Sequence, residues 1–130
     1  MAKLYCEVYT QRILPALRAL IAKILVQEYK LSQVDAARLL EVTQASINYY
    51  ISGKRGKQVL EELEKISKVR ERARTIARGL MEGNIDASVF LCDWCNSLRK
   101  DLDLLRDIAR ILGIKEIRVS KDQLLVISRD

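Results

Sequence analysis

Apolar residues recur at steps of three and four along most of this chain, and this spacing restricts the fold to packed helices. Such a spacing places side chains on one face of an α-helix. One such run continues for 21 residues: Leu60, Leu63, Ile66, Val69, Ala73, Ile76 and Leu80. One proline and five glycines among 130 residues leave few turns for an all-β sandwich or barrel. The sequence therefore predicts a mostly α protein.

Capping residues predict the boundaries of the first three helices. The first helix is expected over residues 15–29, with its proline in the first turn, where a missing N–H costs nothing. Ser32 and Thr43 are N-cap candidates for two short helices. The second of these is predicted over Gln44–Ser52, and Gly53 is the residue predicted to stop it.

The second half is predicted to be helical up to a short terminal hairpin. After Gly56 we expect one long helix that ends near residues 83–84. The following run is either one helix or two with a break at residues 100–101, and two are favoured. Residues 114–119 and 123–128 have the composition of two short strands joined in a β-hairpin.

The net charge of +6 is concentrated in the N-terminal half. Residues 1–58 hold nine Lys and Arg against four Asp and Glu, whereas residues 85–130 hold eight of each. This asymmetry indicates that the first half meets an anionic partner. We therefore expect a binding domain over residues 1–57 and a helical dimerisation or regulatory region over residues 58–130.

Composition also excludes several classes of function. The chain has no His, which excludes His-based triads and His-ligated metals. Because no nucleophile–base pair or phosphate loop stands out, we expect neither an enzyme nor a cofactor. The sequence lacks an eighteen-residue apolar run and a secretory signal pattern, so no membrane partner and a cytoplasmic location are expected.

Residues 33–52 have the pattern of two short helices around a tight turn. A small residue at Ala37 allows the two helices to cross closely, and Val42 and Ile47 fill the angle between them. The polar residues of the second helix then form its outer face. A helix of this diameter fits the major groove of DNA, where base edges are distinguishable.

Over residues 31–47 (LSQVDAARLLEVTQASI), followed by Gly53, Lys54 and Arg55, the chain resembles the Xre-type, lambda-repressor-like helix-turn-helix proteins. The wider sequence, with the ILPALRAL run at residues 13–20, is similar to a group of archaeal predicted transcriptional regulators. The DNA-binding resemblance covers roughly residues 10–67. It implies sequence-specific binding of double-stranded DNA and regulation of transcription.

The resemblance also implies roles for individual residues. Gln33 would contact a phosphate, and Gln44 would read a base, with adenine the favoured partner of a bidentate amide. Together with the outer face and the cations that follow it, the expected DNA-binding residues are Gln33, Thr43, Gln44, Ala45, Ser46, Asn48, Tyr49, Lys54, Arg55 and Lys57. Glu41 departs from the family pattern, which has Gly at this turn. A left-handed Glu there costs about 1 kcal/mol.

We expect a homodimeric transcriptional regulator, and two alternative functions are also compatible with the sequence. Cys92 and Cys95 form a Cys-X-X-Cys pair, which suggests a metal- or thiol-responsive switch. A closed zinc site needs about four ligands, and the chain offers only Cys6 in addition, so burial of these thiols as small apolar groups is favoured over a metal site. A protein-bridging transcription coactivator could use the same fold with little DNA sequence preference.

Overall fold

A computed structural model describes residues 2–83, 87–114, 116–119 and 125–128, and most of these residues are helical. In chain order the elements are β1 Ala2–Leu4, α1 Tyr5–Val8, a π-helical segment Tyr9–Ile13, α2 Leu14–Gln27, α3 Gln33–Leu40, α4 Gln44–Ser52, α5 Lys54–Glu64, α6 Ser67–Glu82, α7 Ala87–Lys100, α8 Leu102–Ile111, β2 Glu116–Val119 and β3 Leu125–Ser128.

The chain divides into two compact units. Residues 16–91 form the helical unit, and residues 1–15 together with residues 92–130 form the composite unit. This division differs from the predicted boundary between residues 57 and 58, which falls inside α5. The reason is that α5 buries its apolar face in the same unit as the helices before it.

The helical unit is built around α2. A helix that is apolar on all sides belongs in the middle of a core, and the buried residues of α2 are Ala16, Leu17, Ala19, Leu20, Ile21, Ala22, Ile24 and Leu25. The surrounding helices are amphipathic and bury one stripe each. Their buried residues include Ala36, Ala37, Leu40, Ile47, Leu60, Leu63, Val69, Ala73, Ile76, Ala77 and Leu80.

The predicted start of the first helix is wrong. Helical backbone begins at Tyr5 and continues through the π-helical segment into α2, so the proline lies inside a longer helical stretch. A proline cannot donate to the carbonyl four residues before it, and its ring crowds that carbonyl. The wider π-helical turn just before Pro15 accommodates the ring without ending the helix.

The predicted long helix after Gly56 is also wrong, because the chain breaks between α5 and α6. Ile66 has an extended backbone, with φ −84° and ψ 110°. Leu60 and Val69 are nine residues apart, and in one straight helix this separation places them about 180° apart around the axis. Their side chains would therefore face opposite sides. The break allows both side chains to be buried. Arg70 closes α5 by donating to the Glu64 carbonyl at 2.9 Å.

The composite unit contains most of α7 and all of α8, and these are separate helices, as predicted. Asp101 is the N-cap of α8, and its Oδ1 accepts from the Leu104 amide at 3.3 Å. The guanidinium of Arg12 donates to the Leu112 carbonyl, where α8 ends. The core of this unit is formed by Tyr5, Val8, Tyr9, Ile13, Trp94, Leu98, Leu105, Ile108, Ala109, Ile114 and Ile117.

The strands of the composite unit form a sheet of order β1-β3-β2. Strand β2 pairs antiparallel with β3, with Ile117 opposite Ile127. These strands lie within the segments predicted at residues 114–119 and 123–128, while the predicted turn falls outside the described residues. Strand β1, which the sequence analysis did not predict, pairs with β3 through Ala2 and Ser128.

Candidate nucleic-acid interface

Side-chain caps fix the starts of α3 and α4. The Ser32 hydroxyl accepts from the Asp35 amide at 3.1 Å, and the Thr43 hydroxyl accepts from the Ser46 amide at 3.1 Å. Each cap satisfies a backbone donor that a helix start leaves open. Both predicted caps are confirmed, and so are the bounds predicted for Gln44–Ser52.

The turn between α3 and α4 is left-handed at Glu41, with φ 57° and ψ 42°. The Val42 amide donates to the Ala37 carbonyl at 3.0 Å, and the Glu41 amide donates to the Arg38 carbonyl at 3.3 Å. These two bonds form a Schellman motif, which usually has Gly at the left-handed position. Glu41 thus adopts the left-handed conformation expected for this turn, at a cost of about 1 kcal/mol.

One buried residue anchors α4 while most of the helix faces solvent. Ile47 is 1% exposed, and Tyr50 is half-buried. The small residues Ala36 and Ala37 of α3 are also buried, which agrees with the close helix crossing predicted from Ala37. Since packing uses only this side of α4, the opposite side remains available to a partner.

All but one of the predicted contact residues are exposed. Gln33 at the start of α3 is half-buried. The exposed residues are Thr43, Gln44, Ala45, Ser46, Asn48, Tyr49, Lys54, Arg55 and Lys57. We call these nine residues the α4–α5 surface.

Two glycines bring the cations of α5 close to the end of α4. Gly53 ends α4 and begins α5 in an extended conformation (φ −74°), not the left-handed one usual for a glycine that stops a helix. A Cβ at Gly53 would lie 2.4 Å from the Tyr49 carbonyl oxygen, and one at Gly56 would lie 2.8 Å from the Tyr50 Cα. Only glycine permits this close approach of the two backbones.

The charge at the start of α5 is unfavourable for the isolated helix. Its first turn consists of Lys54, Arg55, Gly56 and Lys57. The amino end of a helix carries partial positive charge, so each cation there opposes the dipole by about 0.3–1 kcal/mol. An anion bound at this end would be attracted by the helix dipole and by the side chains together.

Contacts within α4 order two of the predicted residues. The Ser52 hydroxyl donates to Asn48 Oδ1 at 3.0 Å. The Tyr49 ring is 52% exposed and packs edge-on against the Tyr50 ring, with centroids 5.0 Å apart. The sequence analysis missed the supporting roles of Ser52 and Tyr50, although each lies within four residues of the side chain that it orders.

The burial predicted for Cys92 and Cys95 is not found within the single chain. Cys6 and Cys92 are exposed, and Cys95 is half-buried. Helix α7 buries Leu91, Trp94 and Leu98, and Cys92 follows Leu91 by one residue, which rotates it by about 100° away from that stripe. Among the residues that the structure describes, no group of three or more Cys, Asp or Glu side chains is arranged to hold a metal ion.

No family model, curated protein or solved structure matches this chain. Within the described part of the chain, every helix is too short or too polar to cross a membrane.

Proposed function

We propose that this protein binds double-stranded DNA sequence-specifically and regulates transcription. One observation carries the proposal: the α4–α5 surface presents a polar helix face directly beside a cationic helix start. Base readout needs the first feature and phosphate contact needs the second.

The outer face of α4 suits the major groove. An α-helix with its side chains is about 10–12 Å wide, which matches the groove. Gln44 is the first residue of α4, and its amide has the donor and acceptor that pair with adenine. The Ala45 methyl suits a thymine methyl, and Ser46 offers a hydroxyl to a base or a phosphate.

The cations of α5 suit the phosphate backbone that flanks such a groove. Their position at a helix start is electrostatically unfavourable until an anion arrives, so the surface favours the bound state more than a scattered set of cations would. Gln33, at the start of α3, is proposed as a further phosphate contact.

We also propose that the protein acts as a cytoplasmic homodimer on a two-fold operator. One module of this size contacts few base pairs, and pairing two half-sites supplies the missing selectivity. Sedimentation of the full chain tests this assembly. A monomer at micromolar concentration would contradict it.

Selection of bound sequences from a random DNA pool tests sequence-specific binding. A shared motif is expected, and Gln44→Ala should weaken binding to that motif by about 1–3 kcal/mol while relaxing the preference at one base pair. Gln27→Ala, at an exposed glutamine of α2, is the matched control and should leave the motif unchanged. A pool without any enriched motif would contradict base readout and favour the coactivator interpretation.

The salt dependence of binding tests the phosphate contacts separately. Neutralising Arg55 to Gln should reduce the salt slope by about 1 and weaken binding to every sequence alike. Lys65→Gln changes the same charge at the opposite end of α5 and should leave the slope as it is. An unchanged slope for Arg55→Gln would remove the α5 start from the interface.

A further inference from the structure

A second cluster of chemically active side chains lies in the composite unit, which contains none of the residues proposed for DNA. Arg99 of α7 donates from Nη2 to the Cys6 sulfur of α1 at 3.1 Å. The same guanidinium lies over the Tyr5 ring, with its Cζ 5.2 Å from the ring centroid. Residues from opposite ends of the chain therefore hold a cation against an exposed thiol.

Cys95 belongs to the same cluster. The Tyr5 hydroxyl donates to the Cys95 carbonyl at 3.1 Å, and Cys95 precedes Arg99 by one helical turn. Burial raises the pKa of the Cys95 thiol. A hydrogen bond with Tyr5 and the positive charge of Arg99 lower this pKa, whereas negative charge on Cys6 or Cys92 raises it. Tyr5, which precedes Cys6, therefore contacts both the backbone of Cys95 and the guanidinium that bonds to the Cys6 sulfur.

We propose that Cys6 is a modification site for hydroperoxides and that Cys95 is the thiol that resolves its oxidised form. Attack on a peroxide requires the anionic form of the sulfur, and the Arg99 guanidinium is a counter-charge at hydrogen-bonding distance. An exposed thiol beside a cation favours such chemistry. Cys95 is assigned the resolving role because its carbonyl accepts a hydrogen bond from Tyr5, the residue next to Cys6.

The reaction balances in two steps. The Cys6 thiolate attacks one peroxide oxygen, the O–O bond breaks, and the departing oxygen takes a proton to leave water or an alcohol, so that Cys6 becomes a sulfenic acid. The Cys95 sulfur then attacks the Cys6 sulfur and displaces hydroxide, which takes the Cys95 proton and leaves as water. The sum is two thiols and one peroxide giving one disulfide, which links α1 to α7.

Peptide mapping under non-reducing conditions tests the proposed disulfide in the full chain treated with hydrogen peroxide. Trypsin releases Cys6 in residues 4–12 and both other thiols in residues 79–99, and cleavage before Asp93 then separates Cys92 from Cys95. The expected product is a Cys6–Cys95 link, with a loss of about 2 Da per chain. A link between Cys92 and Cys95, a link between two chains, or three unreacted thiols would overturn the proposal.

Variants test the role of Arg99. Arg99→Gln should slow the reaction of Cys6 with peroxide by about 3–10-fold, and Arg99→Lys should restore part of the rate. Lys100→Gln removes an exposed charge one residue away and is the matched control. Cys92→Ser should still form the link. The peptide map of the wild-type chain needs no variant, and its outcome does not depend on whether the protein binds DNA.

Discussion

Both units contain side-chain caps that bond to amides three residues away, but the units differ in how far along the chain their longest described side-chain hydrogen bonds reach. In the helical unit, Arg74 reaches Glu28 across 46 residues. In the composite unit, Tyr5 reaches Cys95 and Arg12 reaches Leu112, across 90 and 100 residues. A cap can form within a short segment alone. These two bonds of the composite unit form only after both ends of the chain have met, at the cost of closing a long loop.

This difference predicts that each unit unfolds cooperatively by itself. Four substitutions, each with a control, test this prediction or refine the description of one unit. They are ordered from the largest expected change in the free energy of unfolding to the smallest.

Trp94→Ala should have the largest effect. Trp94 is 2% exposed in the core of the composite unit, and loss of its side chain should lower the free energy of unfolding by about 3–5 kcal/mol. Urea denaturation measures the change. Native-state hydrogen exchange should show lost amide protection at residues 92–114 and retained protection at residues 16–83.

Ile76→Ala is the matched control in the helical unit, because Ile76 is 1% exposed. It should reverse the pattern, with protection lost first at residues 16–83. If either variant loses protection evenly along the chain, the two units unfold together and the comparison fails.

Arg12→Gln should destabilise the composite unit by about 1–3 kcal/mol, because it removes a charge-assisted hydrogen bond to a partly buried carbonyl. Thermal unfolding measures the loss. Arg38→Gln is the control, since Arg38 forms an exposed ion pair with Asp35 at 3.5 Å and should contribute less than about 1 kcal/mol. Equal losses of stability in the two variants would show that the hydrogen bond of Arg12 contributes no more than an exposed ion pair.

Thr43→Ala should lower stability by about 1 kcal/mol through loss of the α4 cap. Thr75→Ala is the control, because Thr75 is exposed within α6 and alanine favours a helix interior, so that variant should be neutral or slightly stabilising. Urea midpoints compare the two. A neutral Thr43→Ala would mean that packing of Ile47 alone sets the start of α4.

Glu41→Gly should have the smallest effect and the opposite sign. Glycine removes the steric cost of the left-handed conformation at this position. Its greater conformational freedom in the unfolded chain offsets part of that gain, so the free energy of unfolding should rise by about 0.5–1 kcal/mol. Glu61→Gly, in the exposed interior of α5, should instead destabilise by about 1 kcal/mol. A loss of stability in both variants would contradict a strained turn.

The same difference in range explains which features were predictable from the sequence. The caps and the bounds of α4 depend on residues three apart, and those predictions were correct. The break at Ile66 has no local signal, because apolar residues continue through it at steps of three and four as they would along a single helix. Strand β1 is three residues long and has its partner at the other end of the chain, so no local pattern marks it. The thiol cluster was missed for the same reason, since Cys6 and Arg99 meet only in the folded unit.

The close contact at Gly53 and Gly56 has a consequence for recognition. A Cβ at either position would lie within 3 Å of the Tyr49 carbonyl oxygen, so a side chain there would push α4 and α5 apart. The distance between the polar side chains of α4 and the cations of α5 therefore depends on two residues that carry no side chain. If the proposed interface is correct, Gly53→Ala or Gly56→Ala should weaken DNA binding although neither residue has a group that could contact DNA.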